Sequence, residues 1–148
     1  MAHQTLTPAE RDEMLQNLAR LLPSAVLDAW EEIHLRYASI VDASTMECVV
    51  VRVDGTVVRI NPSYKVIRLL PELRSGMYQP GQGTWFTMRF MVEQTGRHQV
   101  EFDYDTEPAF DFTLQPGSYA RDLHQFPRDA MFMPIWLREK LTTAGSGA

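Results

Sequence analysis

Twelve consecutive residues, Glu101 to Phe112, hold five carboxylates and four aromatic rings without one basic side chain. Carboxylates at this density can hold a hard cation, serve a metal-dependent hydrolase, or present charge to a basic partner. Asp103, Asp105 and Glu107 alternate along the chain, so a strand that persisted through them would put all three on one face as oxygen ligands for Ca²⁺ or Mg²⁺. An EF-hand loop fits poorly. Counted from Asp103, its sixth position is Pro108 where glycine is wanted, and its twelfth is Leu114 where a bidentate glutamate is wanted. A metal-dependent hydrolase built on Asp103, Asp105 and Glu107 stays as a rival reading.

Other reactive groups are scattered. His34 and His98 fall on predicted strands and His124 near the end of a short helix, while His3 lies in the opening residues; none belongs to an H-E-x-x-H arrangement. Cys48 has no CxxC partner and sits in the apolar run Cys48-Val49-Val50-Val51, as a small buried hydrophobe does. Gly81-Gln82-Gly83 lacks the rest of a dinucleotide fingerprint and precedes a strand, where a phosphate cradle would open a helix. No cofactor motif emerges, and the expectation is a protein that is not an enzyme.

The chain's charge sharpens the reading of the acidic segment. It holds 19 acidic and 14 basic side chains, a formal net charge of -5, and the segment's five carboxylates account for that whole excess. An acidic, aromatic stretch in an otherwise balanced protein reads as a docking surface, with Asp103, Asp105, Glu107 and Asp111 supplying charge and Tyr104 and Phe110 supplying contact rings. Phe102 and Phe112 are assigned to the core. With two lysines and dispersed arginines there is no basic stripe for phosphates, so neither nucleic acid nor an anionic membrane is an expected direct ligand. The opening residues lack a cationic segment followed by an apolar one, and no run of about 18 apolar residues occurs, so a cytoplasmic setting is expected.

Hydrophobic periodicity supplies the elements that must position these groups. Thr7-Pro8-Ala9-Glu10 is a helix start, followed by Met14, Leu15, Leu18, Leu21 and Leu22 at helical spacing; Pro23 ends the run, and Ser24 is placed to recap a short helix through Trp30. From Glu32 the period becomes two. Ile33, Leu35 and Tyr37 alternate with polar residues as in a half-buried strand, and Met46 to Val53 leads through Asp54-Gly55, read as a hairpin turn with positive φ at both positions, into Thr56 to Ile60. A helix holding Val66 to Leu73, kinked or restarted at Pro71, precedes a loop from Gly76 to Gly83. Thr84 to Val92 and Arg97 to Tyr104 read as strands joined by a turn at Glu93 to Gly96. Pro116-Gly117-Ser118 is read as a turn before a helix from Tyr119 to Gln125, and Pro134 opens a last helix that gives way to a flexible tail from about residue 142. The sum, over residues 1–148, is a single α+β domain: an antiparallel sheet of about five strands with N- and C-terminal helices packed on one face.

Taken in order, these pieces resemble the YezG-like family of bacterial immunity proteins, antitoxins of polymorphic toxin systems. The similarity runs from about Leu15 to Leu141. It is carried by Leu22-Pro23 with Trp30 following, the strand opening at Ile33, the Asp54-Gly55 hairpin, Pro71-Glu72-Leu73-Arg74 before a glycine-rich loop, Trp85-Phe86-Thr87, Phe102-Asp103-Tyr104-Asp105, Phe126-Pro127-Arg128, and Pro134-Ile135-Trp136-Leu137. The resemblance implies a small α+β protein that binds a cognate secreted toxin in the producer's cytoplasm and blocks it, the toxin often being a nuclease. It supplies no catalytic residue and no interface position. A general interaction adaptor is the remaining alternative.

Overall fold

The structure, a computed structural model, describes residues 5–146; His3 and the last two residues lie outside it. Its first helix, α1 (Pro8–Leu21), starts as its sequence requires: Thr7 Oγ1 accepts from the Glu10 amide at 3.1 Å while Glu10 Oε1 accepts from the Thr7 amide at 3.0 Å. Leu15, Leu18 and Leu22 are buried along one side. The expected second helix through Trp30 does not form. Leu22–Ala25 makes one 3₁₀ turn and β1 has begun by Trp30, because Ser24 turns its hydroxyl back to the Leu21 carbonyl at 2.5 Å and caps nothing downstream.

Five antiparallel strands follow, ordered β3-β2-β1-β4-β5: β1 (Trp30–Ile40), β2 (Ala43–Arg52), β3 (Val57–Arg59), β4 (Thr87–Glu93) and β5 (His98–Asp103). The register between Ile33 and Ile40 is unbroken, so parity alone assigns faces. Ile33, Leu35 and Tyr37 share a face with Cys48, Val50, Met88, Phe90 and Val92, and α1 and α2 (Tyr64–Gly76) cover it with Leu18, Leu22, Val66, Leu70 and Leu73. His34, Arg36, Ala38 and Ile40 point the other way. A second buried cluster of Ile40, Phe86, Tyr119 and Leu137 joins α3 (Pro116–Gln125) and α4 (Ile135–Ser146) to that opposite face at one end of β1. The helices therefore clasp the sheet from both sides at that end and do not all lie on one face. The remainder of the second face is open.

Turn chemistry departs from the expected form in one respect. Gly55 has φ 88° but Asp54 has a negative φ; the Gly55 amide donates to the Arg52 carbonyl at 2.9 Å and the Arg52 amide to the Thr56 carbonyl at 2.8 Å. This is a three-residue loop with glycine in the left-handed position of a bulge. Asp54 instead uses its carboxylate, accepting from the Thr56 amide and hydroxyl at 3.0 and 2.6 Å. The β4–β5 loop repeats the arrangement with Gly96 at φ 94° and the Gly96 amide 2.8 Å from the Glu93 carbonyl.

Three further boundaries shift. α2 runs through Pro71, which sits on its exposed side, and ends at Gly76, where Leu6 packs so closely that a Cβ would lie 2.5 Å from its Cγ; Gly76 belongs to the helix and not to the loop. Pro116 is the first residue of α3, so Pro116-Gly117-Ser118 is its opening turn. α4 continues to Ser146, so the residues from 142 to 146 are helical and not a loose tail; Thr142 and Thr143 return their hydroxyls to the Arg138 and Glu139 carbonyls, each at 3.0 Å.

Candidate partner-binding site

Asp103 is where β5 stops. Its Oδ1 accepts from the amides of Asp105 at 3.1 Å and Thr106 at 2.9 Å, turning the chain out of the sheet. Asp103, Asp105 and Glu107 thus do not continue the alternation that would have put them on one strand face, and the geometric premise of a three-carboxylate cation site is lost. Among the described residues no group of three or more His, Cys, Asp or Glu side chains is placed to hold a metal ion. Burial alone would raise the Asp103 carboxyl, but the Thr106 and Asp105 amides, the Thr106 hydroxyl and the Arg89 charge outweigh it and hold it below its ordinary value. A group depressed in this way stabilises the fold above its unfolded pKa and loses that contribution as pH falls through the folded one. Asp103→Ala is accordingly expected to lower the denaturation midpoint at about pH 7 and to differ less from the parent at about pH 2; urea titrations showing the same gap at both would refute the assignment.

Beyond Asp103, residues 104–115 form a strap that crosses the open end of the second face toward α3. Its backbone is tied down at three points: Trp136 Nε1 donates to the Asp105 carbonyl at 2.6 Å, Arg36 Nη1 to the Ala109 carbonyl at 3.1 Å, and the Asp111 amide donates to Thr45 Oγ1 at 3.3 Å. Thr45 is buried on β2, so the strap spans from the β5 edge past β1 to the other side of the sheet. The carboxylates of Asp105, Glu107 and Asp111 are left exposed. The acidic segment is not without counter-charge. Lys140 Nζ on α4 lies 3.7 Å from Glu107 Oε1, and Arg89 stands opposite Glu101 in the ladder.

The rings are distributed differently from the expectation. Tyr104 is half-buried against the main core, and burial raises its phenol. Phe110 is half-buried against the second cluster, whereas Phe112, expected inside, is 49% exposed and leans on Phe110 at 5.7 Å between centroids. Phe102 does pack on the core, 5.4 Å from Trp85. The sequence criterion failed because residues 104–112 are not a strand, so alternation says nothing about which ring points inward.

Folding adds residues that linear reading passed over. Gln79, Gln82, Tyr104, Asp105, Arg128 and Phe132 line one open cleft of about 370 Å³. Arg128 is its buried corner: Nη1 donates to the Phe132 carbonyl at 3.0 Å, Nη2 to the Thr84 carbonyl at 2.9 Å, and the guanidinium lies 4.7 Å over the Phe86 ring. These bonds fix the 3₁₀ turn Ala130–Phe132, which exposes Met131 and Phe132, and α4 then begins with Ile135, which is 76% exposed. The available signal was the apolar run Met131-Phe132-Met133 between Asp129 and Pro134, too long for a solvated turn yet too short for a helix.

The remaining candidates fall into place as structural groups. Burial pushes the Cys48 thiol up to about 12, leaving it no thiolate at neutral pH. His34 Nε2 is 2.9 Å from Glu32 Oε2, and His98 stacks on Phe90 at 5.4 Å. In the loop from Gln79 to Gly83, the Gln79 and Gly83 backbones bridge each other, with Gly81 and Gly83 at φ 79° and 89°. No helix among the described residues is long and apolar enough to cross a membrane. The chain matches no family model and no curated protein.

Proposed function

We propose that this protein is a non-catalytic inhibitor, an immunity protein that binds a cognate secreted toxin in the cytoplasm and occludes the basic cleft of a nuclease or other nucleic-acid-acting enzyme. The observation that carries the reading is the pairing of an exposed carboxylate, Asp105, with an exposed ring, Phe132, on the wall of one cleft. Charge brings such a partner in quickly, and a ring seated in the partner's pocket sets how long it stays. The strap supports this by pre-ordering its backbone through Asp105, Ala109 and Asp111, so little conformational freedom is lost on docking. Asp103 acts by turning the chain, Tyr104 and Phe110 by seating the strap, and Asp105, Glu107 and Asp111 by facing the partner.

The experiment is co-purification to identify the toxin domain that this protein binds, then stopped-flow association of the two and growth of cells expressing both. Replacing Asp105, Glu107 and Asp111 together by their amides should slow association roughly 10 to 1000-fold at low salt and far less at high salt. Phe132→Ala should leave the on-rate nearly intact and cost about 2 kcal/mol in affinity through faster dissociation. Unchanged kinetics with unchanged protection in both variants sinks the reading.

A further inference from the structure

Below the strap, the open face of the sheet presents a groove of about 260 Å³ that shares only the sheet with the Asp105 cleft. Two ladder rows form its floor. In the first, Glu47, Arg36, Arg89 and Glu101 stand opposite one another across β2, β1, β4 and β5; in the second, Val49, His34, Met91 and Gln99 do. Arg36 and Arg89 are thus directly opposed on the two inner strands, an arrangement that repels itself. Of the carboxylates at the ends of the row only Glu101, opposite Arg89, offsets it: Glu47 Oε2 is taken by Arg59 Nη2 at 3.1 Å, and neither Arg36 nor Arg89 forms an ion pair among the described residues. Arg36 spends one N–H on the Ala109 carbonyl, which anchors it, while exposed Arg89 makes no hydrogen bond among the described residues.

We infer that this groove is a binding site for a small amphiphilic carboxylate, whose two oxygens bridge the Arg36 and Arg89 guanidinium groups while its apolar chain lies over Val49 and Met91. The headgroup follows from charge. Two guanidinium forks match the two oxygens of a carboxylate, and with Glu47 paired to Arg59 the remaining Arg36, Arg89 and Glu101 carry one surplus positive charge, which suits a monoanion better than a dianionic phosphate. The chain length follows from the sheet. Same-face rows are about 6.5 Å apart, a distance that a chain of about five methylenes spans. Apolar floor with few convergent polar groups is the usual form of a small-ligand site.

Titrating ¹⁵N-labelled full-length protein with sodium hexanoate tests the inference, with hexyl phosphate and 1-hexanol as controls. Hexanoate should bind with a dissociation constant below about 1 mM and shift the amides of Arg36, Arg89, Met91 and Gln99, with both controls at least about tenfold weaker. Arg89→Gln, an exposed substitution, should weaken hexanoate at least about tenfold while its amide spectrum stays that of the folded parent. No response to hexanoate, equal binding of hexanol or hexyl phosphate, or an Arg89→Gln variant that binds like the parent each overturns the site. So does weaker toxin association in Arg89→Gln without any hexanoate response, which assigns these arginines to a protein interface.

Discussion

Asp122→Ala is expected to be the most damaging single substitution in the chain away from its apolar core. Asp122 on α3 receives Arg74 of α2 bidentately, at 2.9 and 3.0 Å, and the Val41 amide at 2.8 Å, with the two ionic side chains 4% and 3% exposed. Truncation leaves a guanidinium and a backbone N–H in a site that water hardly reaches. Removing one partner of a buried pair costs about 3–5 kcal/mol, because the survivor is an uncompensated charge. In a chain of this size that corresponds to a melting temperature lower by about 10 °C or more. Replacing both partners, as Arg74→Met with Asp122→Leu, should cost less, since no charge is stranded, although the Val41 amide and the Trp85 carbonyl, which Arg74 Nε reaches at 2.8 Å, lose their partners. Thermal and urea denaturation of the three proteins measures this, and a loss below about 1 kcal/mol for Asp122→Ala would mean the pair is not desolvated as its burial requires.

Gly83→Ala is the second. At φ 89° any side chain is strained, and here a Cβ would also lie 2.4 Å from Arg128 Nε and 2.7 Å from its Cγ. Arg128 must then move, giving up its bonds to the Phe132 and Thr84 carbonyls and its place over Phe86. The backbone strain alone is about 1–2 kcal/mol and each displaced charged hydrogen bond adds about 1.5–3, so the loss should exceed 3 kcal/mol. Gly96→Ala provides the control: φ is 94° but nothing lies within 4 Å of the added atom, so only the strain remains. Denaturation midpoints that fall equally in the two variants would show that the contact with Arg128 carries no weight. On the proposed function, Gly83→Ala also loosens Phe132, and toxin dissociation should quicken in step with it.

The parts of the fold legible in the sequence are those whose causes are local. The Thr7 and Glu10 cap closes within four residues, and parity along Ile33, Leu35 and Tyr37 names a buried face without knowledge of what buries it. The Gly55 and Gly96 turns announce themselves by glycine. What was not legible depends on distant residues. The β1–β2 turn at Val41-Asp42 carries neither glycine nor proline; its amide is satisfied by Asp122, 81 positions away. Pro116 could open a helix or a turn on local grounds, and α3 exists because Tyr119 has Phe86 and Leu137 to pack against. Charge alone singled out the acidic segment, but its internal order was misjudged: strand periodicity was extended past Asp103, and the same side chain that was counted as a ligand is what ends the strand. Phe132 was overlooked because its neighbours in the cleft come from three separate stretches of chain.

The way the strap is attached bears on how this protein can change over generations. Its three fastenings use the Asp105 carbonyl, the Ala109 carbonyl and the Asp111 amide, groups that every residue except proline offers in full. Substituting the side chains at positions 105, 107, 109 and 111 therefore removes none of these three backbone bonds, and of the strap's side-chain ties only the Glu107 pairing with Lys140. A lineage can rewrite the character of this surface, one residue at a time, while the sheet and helices beneath it stay as they are, and on the proposed function a toxin that drifts can be followed without the fold being renegotiated.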